Sequence, residues 1–292
     1  MPDLSYLPQI ALSGIGVGCI YGLIGIGFCV IYNASGIVNF AQGAFVMLGG
    51  MLTHVAFQQL GLPLLAAAVL ATVIVAALGV VIDRLVVRPL WTRNATMFVM
   101  ILATLAVQIV IERLTLIGAG DQPKTLPPLT DLPPIMVGGI AINFQFLWIV
   151  AISLLLIAML DLFFKKTRTG KAMRACAINR EAAALQGIPV SRMLALSFAL
   201  SAALGAIAGV LITPTQYTAF NVGVPLAISG FIAAIVGGFG RPLGAFVGGI
   251  MLGLAQAVAI VVFGAGLKNV AALSVLLLFL FIRPGGILGE AK

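Results

Sequence analysis

Apolar stretches long enough to cross a bilayer follow one another along nearly the whole chain. A helix that crosses the hydrocarbon core needs about 20 apolar residues. The chain is 62% hydrophobic and only 8% charged, a balance that no soluble core requires. The sequence therefore predicts an all-α, polytopic transmembrane helix bundle that forms a single domain over residues 1–292. We predict spans at 9–31, 37–59, 63–87, 95–117, 144–164, 193–212, 222–239, 243–263 and 269–282.

The number of crossings stays open between eight and nine. The seventh and ninth predicted spans are short, so either is compatible with a re-entrant or broken helix. The tetrapeptide Gly-Ala-Phe-Val occurs at 43–46 and again at 244–247, each time early in a glycine-rich span. Matching interrupted segments in two halves of a transporter tend to border the substrate path. Small residues also simply allow close helix packing, and both interpretations remain.

The distribution of Lys and Arg predicts the orientation. Thirteen of the sixteen basic residues fall on one side of a nine-span chain, which makes that side cytoplasmic. The N-terminus is then outside and the C-terminus inside. Residues 1–10 lack a basic n-region and a cleavage site, so we expect the first span to be retained. The thirteen are Arg84, Arg88, Arg93, Lys165, Lys166, Arg168, Lys171, Arg174, Arg180, Arg192, Arg241, Arg283 and Lys292; the other three are Arg113, Lys124 and Lys268.

The longest outer loop, 118–143, contains five prolines. Proline restricts the backbone and prevents a regular helix. The loop is therefore either a stiff connector or a docking surface for a partner outside the cytoplasm.

Nothing in the chain predicts catalysis. The single histidine, His54, stands alone, and no metalloprotease, Walker or serine-hydrolase motif occurs. Cys19, Cys29 and Cys176 have no metal-ligand spacing. The basic residues lie at the ends of apolar runs, which argues against nucleic acid as a partner. Few ionisable groups fall in the middle of a span, which argues against proton or sodium coupling and for an energy source in another chain.

Polar residues cluster at two span junctions. Buried polar groups are costly in a membrane unless they are satisfied, so these groups either bond to neighbouring helices or line a weakly polar pathway for a small zwitterion or amide. The clusters are Asn33, Ser35, Asn39 and Gln42 between spans one and two, and Thr213, Thr215, Gln216, Tyr217 and Asn221 between spans six and seven. The predicted pore-lining set is Asn33, Asn39, Gln42, Gly43, Thr215, Gln216, Gly237 and Gly238.

A basic segment, 165–192, separates the fifth and sixth spans and carries seven of the sixteen basic residues. Asn179 is a suitable N-cap, Glu181 suits the first turn, and Gly187 followed by Pro189 suits a helix end. We therefore predict a short helix at about 180–186, with Lys171–Ala177 helical as well. Such a segment is either an interfacial helix held by anionic lipid or a docking helix for a cytoplasmic protein.

The segment Glu181-Ala182-Ala183, with Gly187 four residues further on, resembles the E-A-A-x-x-x-G coupling loop of ABC importer permeases. The later I-x-L-P part of that pattern is absent. The whole chain resembles the branched-chain amino acid importer permeases of the LivH type, through residues 39–43, the glycine-rich run from 237 to 249, and the ending at 283–289. The resemblance implies an ATPase-coupling role for Asn179, Arg180, Glu181, Ala182, Ala183 and Gly187.

The resemblance also implies the assembly. The chain would be a non-enzymatic half of a heterodimeric pore in the bacterial inner membrane, paired with a second related permease. Two cytoplasmic ATPase subunits would use ATP and Mg²⁺, and a periplasmic solute-binding protein would deliver substrate. The chain itself would bind no cofactor or metal. Two alternatives stay open: the same machinery carrying urea, short amides or polar amino acids, and a self-sufficient channel or secondary carrier.

Overall fold

A computed structural model of the chain describes residues 7–137, 140–283 and 285–288. Residues 1–6, Pro284, Gly289 and Lys292, on which parts of the predictions above depend, lie outside this range. Within it the chain is a bundle of α-helices with one small β-hairpin, as predicted for an all-α membrane protein. The helices are α1 (Leu7–Ser35), α2 (Gln42–Gln58), α3 (Leu64–Ile82), α4 (Arg88–Thr92), α5 (Met97–Ala119), α6 (Phe144–Lys166), α7 (Arg168–Ile178), α8 (Arg180–Leu185), α9 (Val190–Gln216), α10 (Gly223–Gly237), α11 (Pro242–Phe263) and α12 (Lys268–Ile282).

Seven helical segments in the described part of the chain are long and apolar enough to cross a membrane. They contain α1, α3 with α4, α5, α6, α9, α11 and α12. The remaining two predicted spans, 37–59 and 222–239, correspond to α2 and α10, which have only 17 and 15 residues. The prediction of a short seventh span is confirmed. The second predicted span, 37–59, is present, with its helix beginning at Gln42 rather than at residue 37.

Non-helical segments precede both short helices. Residues 36–41 lead into α2, starting at Gly36 with a φ of +65°, and residues 217–222 lead into α10, starting at Tyr217 with a φ of +63°. Their backbone groups find partners inside the protein. The amide of Phe40 donates to the Thr104 hydroxyl at 3.1 Å, and Thr218 exchanges two 2.7 Å backbone hydrogen bonds with Lys124. Because these backbone groups are hydrogen-bonded within the protein, the chain can be irregular at membrane depth.

The bundle has two distinct ends. At one end, which we call the loop end, Gln9 bonds to Ala141 and His54 bonds to the carbonyl of Thr125. At the other, the platform end, α7 and α8 lie beside the end of α1. The platform end also holds the contact of Asn33 with Gly240. Helix α1 therefore runs from the loop end to the platform end, and α9, which follows the platform, runs the opposite way.

Helix packing repeats across the bundle. Helix α1 packs on α10 and α11, and in the same way α9 packs on α2 and α3. Helices α1 and α9 also contact each other, and so do α2 and α10. The relation pairs α1 with α9, α2 with α10 and α3 with α11, and because α1 and α9 run in opposite directions the two halves are inverted. The proposed correspondence of 43–46 with 244–247 is therefore wrong: the segment equivalent to α2 is α10, and Gly244 instead packs against Gly237.

Small residues set the distance between the central helices. A Cβ added to Gly209 of α9 would collide with the backbone carbonyl of Val46 in α2, and one added to Gly18 of α1 would lie 2.7 Å from the Cα of Ile250. In lipid, close backbone approach of this kind is a main source of helix association, because burial of apolar surface gives little driving force there.

In the described part of the outer loop, 118–137 and 140–143, the chain is non-helical beyond Ala119, as its prolines predicted. It includes two paired antiparallel strands, β1 (Ile135–Val137) and β2 (Ile140–Ile142). Gln145 anchors it, accepting from the Leu129 amide at 3.1 Å and donating to the Leu211 carbonyl at 2.9 Å. Trp148 adds a 2.8 Å hydrogen bond to Thr130. The loop is thus fixed to α6 and α9.

Replacement of Gly209 by valine is expected to destabilise the bundle, because the new side chain has to push α2 away from α9; overpacking of this kind costs about 1–3 kcal/mol or more. Gly118→Val in α5 is the matched control, since a Cβ there meets nothing within 4 Å. The measurement is the thermal unfolding midpoint of the purified protein in detergent. Equal midpoints for the two variants would contradict the packing role.

Candidate functional sites

The basic segment between α6 and α9 forms two short helices, which we call the platform (α7 and α8). Thr167 caps α7, accepting from the Gly170 amide at 2.9 Å. Asn179 caps α8, accepting from the Ala182 amide at 3.0 Å. Gly187 ends α8 in the left-handed region with a φ of +79°. The predicted N-cap, helix and glycine terminus are therefore confirmed, with α8 at Arg180–Leu185.

The platform presents apolar side chains away from the bundle. Ile178 is 86% exposed and Leu185 is 87% exposed, and Glu181 and Ala182 are exposed between them. Ala183, in contrast, is buried against the bundle. Large apolar residues this exposed at one end of the bundle indicate an interaction surface, for a partner protein or for the membrane interface.

Arg180 joins the platform to the transmembrane helices. Its guanidinium lies 5.5 Å from the centre of the Trp91 ring, within the range of a cation–π interaction. A Cβ on Gly36 would lie 2.7 Å from one of its terminal nitrogens. Burial lowers the pKa of the Arg180 guanidinium below its ordinary value. The sequence marked Arg180 as a coupling residue, but Gly36 and Trp91 were missed, because their proximity to it is a tertiary contact.

A buried ion pair makes a second link at the platform end. Asp83 is fully buried and accepts from Arg88 at 2.8 Å, and the same Arg88 nitrogen lies 2.8 Å from the Ser191 carbonyl at the start of α9. Residues 83–87 form a π-helical turn between α3 and α4, a local widening that is frequent at functional sites. The ion pair thus ties the end of α3 to the chain segment that leaves the platform.

The short helices α2 and α10 meet at their N-terminal ends, at what we call the central junction (Gln42, Gly43 and Gly223). A Cβ on Gly43 would lie 2.5 Å from the Gly223 carbonyl oxygen, and one on Gly223 would lie 2.6 Å from that of Gly43. The Gln42 side chain is fully buried, and the Ser201 hydroxyl lies 2.6 Å from its Oε1 and 2.8 Å from the Gly27 carbonyl.

Two further amide side chains are buried in this part of the chain. Asn39 accepts from the Ala41 amide at 3.1 Å through its Oδ1, while its Nδ2 has no hydrogen-bond partner among the described residues. Gln108 is 2% exposed, and neither its Nε2 nor its Oε1 has such a partner. Gln108 was not among the predicted site residues. The signal was present, since it is an isolated amide in the middle of an apolar run.

The other predicted pore residues lie elsewhere. Thr215 and Gln216 line two cavities at the loop end, of about 570 and 610 Å³. Asn33 lines a cavity of about 530 Å³ at the platform end and donates to the Gly240 carbonyl at 2.7 Å. Gly237 is buried against Gly244, and Gly238 follows as the end of α10 with a φ of +111°. Of the eight, only Gln42 and Gly43 lie at the central junction, with Asn39 three residues before Gln42.

Metal binding has no support within the described ranges, where no group of three or more His, Cys, Asp or Glu residues is placed to hold an ion. An inverted helical bundle with two interrupted helices meeting in its interior, and a capped platform at one end, defines the class of the protein: it is a polytopic membrane permease.

Comparison with known proteins gives the family. Residues 10–282 match the family described as the permease component of the branched-chain amino acid transport system. The chain belongs to this family. As the resemblance of its motifs predicted, the similarity extends over nearly the full length.

Two relatives illustrate the match. The high-affinity branched-chain amino acid transport permease BraD of Pseudomonas aeruginosa is 33% identical, over 100% of this chain and 99% of the relative. The permease LivH of Escherichia coli is 32% identical over 98% and 97%. In structure, the chain is similar to a chain of PsaBC from Streptococcus pneumoniae in complex with Fab, with a TM-score of 0.53 and 13% identity over 97% and 94% of the two chains. At 13% identity, this structural similarity shows a shared fold and nothing more specific.

Asn179→Ala is expected to weaken α8, because loss of an N-cap hydrogen bond costs about 1 kcal/mol. The measurement is hydrogen exchange of a peptide covering 180–186, which we expect to become faster. Asn179→Ser, which keeps a capping oxygen, should stay close to the unmodified protein. Equally slow exchange in the alanine variant would contradict the capping role of Asn179.

Proposed function

We propose that this chain forms one half of the translocation pore of an ATP-driven importer for branched-chain amino acids. The names of its relatives specify that substrate class for them, and their similarity over the full length supports it here. The observation that carries the coupling part of the proposal is the platform: a capped, rigid pair of helices that exposes Ile178 and Leu185 to the aqueous phase.

The proposed partners would supply the functions for which this chain has no motif of its own. It offers no nucleotide-binding motif, so the energy would come from two ATPase subunits that bind ATP and Mg²⁺ and receive the platform. A second, related permease would complete the pore, and a periplasmic solute-binding protein would deliver the amino acid at the loop end. The chain itself would bind no cofactor, and membrane lipid would surround it.

The contacts of Arg180 would transmit the movement of the ATPase subunits to the transmembrane helices. Closure of the ATPase dimer would displace α8 together with Arg180, whose guanidinium lies against Gly36 and Trp91. Gly36 begins the segment that leads into α2, so a displacement there would be transmitted to the central junction. Hydrolysis and opening of the dimer would reverse it. Interactions at interfaces of this kind have discrete arrangements, which suits a two-state cycle.

Orientation follows from the positive charges near the membrane. The platform end carries most of the Lys and Arg residues and would be cytoplasmic. The chain would then lie in the bacterial inner membrane with its N-terminus outside and its C-terminus inside. The loop end would face the periplasm. The outer loop, fixed by Gln145 and Trp148, would then be a rigid surface for the binding protein.

Cysteine labelling tests the orientation. The three native cysteines are buried, and burial raises the pKa of the Cys176 thiol, which keeps it unreactive. In spheroplasts, a membrane-impermeant maleimide should label Gln122→Cys in the outer loop and leave Gln186→Cys in the platform unlabelled. Permeabilised cells should label both. The reverse pattern in spheroplasts would invert the assigned orientation.

Leu185→Asp and Glu181→Lys test the coupling surface. Each puts a new charge on the proposed contact with the ATPase, so we expect uptake and binding-protein-stimulated ATPase activity to fall together by about tenfold or more, the effect of losing roughly 1.4 kcal/mol at an interface. Leu60→Asp and Gln59→Lys are matched controls, since both residues are exposed at the loop end.

The assay uses the full assembly in proteoliposomes, with the binding protein and labelled leucine. Full uptake and ATPase activity in both platform variants would refute the coupling assignment. Uptake by this chain alone, without an ATPase, would instead support a self-sufficient carrier. Competition by urea, short amides and polar amino acids decides the substrate class, which we expect to be leucine, isoleucine and valine.

A further inference from the structure

The central junction brings two helix N-termini to one point inside the bundle. Helix α2 runs from Gly43 toward the loop end, and α10 runs from Gly223 toward the platform end. Each helix carries about half a positive elementary charge at its N-terminus, and its first amide groups have no acceptor within the helix. Two positive helix ends in contact repel one another, and they attract any anion placed between them.

The junction lies near the middle of the spanning helices. Ser201, which bonds to Gln42 beside it, is the twelfth of 27 residues in α9. Gln108, which lies against Gly223, is the twelfth of 23 residues in α5. At this depth water does not screen the helix ends, so their attraction for an anion is stronger than at a surface.

Gln108 supplies an independent observation at the same place. Its Nε2 would lie 3.2 Å from a Cβ on Gly223, so its amide points at the junction. Burial of an amide without a hydrogen-bond partner costs about 1–3 kcal/mol, and a group of this kind in a native structure calls for an explanation. Because Gln108 is 2% exposed within this single chain, a second permease packed outside it does not reach the amide.

Aromatic rings adjoin the junction on its platform side. The Phe40 ring centre lies 6.2 Å from that of Phe28 and 5.5 Å from that of Phe231. Phe40 precedes Gly43 by three residues, and Phe231 follows Gly223 by eight, or about 12 Å along α10 at 1.5 Å per residue. A polar, electropositive point is thus followed by an apolar surface, an order that matches a molecule with a carboxylate at one end and an apolar side chain at the other.

We propose that the central junction, with Gln108 beside it, is a transient binding position for the carboxylate group of the transported amino acid. This proposal rests on the importer function proposed above. In this structure Gly43 and Gly223 are in contact, so the position is closed. Separation of the two helix ends exposes the amide groups of Gly43 and Gly223 and the Gln108 Nε2 as donors to the carboxylate, and the side chain of the amino acid lies toward Phe40. The nearest acid on α5, Glu112, is one turn toward the loop end, on the side where the ammonium group would be.

The test compares substitutions at Gln108 in the full assembly, with leucine as the probe and uptake per ATP hydrolysed as the readout. Gln108→Glu places a negative charge beside the carboxylate and should lower the ratio at least about tenfold, while Gln108→Leu, which removes only the amide, should lower it about threefold to tenfold. Gln108→Lys restores a donor of positive charge and should lower it less than Gln108→Glu does.

Gln256→Glu is the matched control, because Gln256 is also 2% exposed in a spanning helix but accepts from Tyr21 at 2.8 Å, away from the junction. Because it lies away from the junction, it should lower the ratio less than Gln108→Glu does. Each variant is checked for assembly by size-exclusion chromatography. Gln108→Leu places an apolar side chain in an apolar interior and is therefore the variant most expected to fold.

The results separate two failures. If the unmodified assembly does not transport leucine, the proposed function itself is wrong. If it does, and Gln108→Leu keeps the full ratio, or if Gln108→Glu lowers it no more than Gln108→Lys does, the carboxylate position is refuted, because a purely structural role beside two positive helix ends gives no reason for the negative charge to be the more damaging one.

Discussion

Backbone amide and carbonyl groups have to be paired in the hydrocarbon core of a bilayer, and this constraint decides where the chain can interrupt its helices. An interruption is tolerated only where protein surrounds it. Residues 36–41 meet this condition through the Thr104 hydroxyl and the Asn39 side chain. Residues 217–222 meet it through the paired backbone of Lys124 and Thr218. The two breaks therefore lie inside the bundle, and their position fixes the place where α2 and α10 start.

Small residues make this arrangement possible. The helices that surround the breaks approach at backbone distance, through glycines such as Gly18 and Gly209, and this proximity buries the irregular segments. The inverted relation of the two halves then brings two equivalent helix ends face to face at Gly43 and Gly223. A symmetric fold thus produces one electrostatically special point near the middle of the membrane, although no charged side chain belongs to it.

The platform and the central junction are connected by a short stretch of chain. Arg180 of α8 lies against Gly36, and only six residues separate Gly36 from Gly43. In the proposed mechanism this segment would carry displacement of the platform to α2, because its backbone is held by hydrogen bonds such as that of Phe40 to Thr104. The buried pair of Asp83 and Arg88 holds the neighbouring end of α3 to α9.

By itself, the sequence determined the class of fold, the approximate positions of most of the apolar helices, and the platform helix with its caps at Asn179 and Gly187. These features depend on local properties, namely apolar run length, capping chemistry and the left-handed preference of glycine, which can be read residue by residue. Tertiary structure decided that a short non-helical segment precedes α2, that α10 rather than the start of α11 is the counterpart of α2, and that Gln108, Gly223 and Gln42 share one site. Those relations join residues more than 60 positions apart through backbone contact at glycines, and a glycine that permits contact has the same local signature as one that faces lipid.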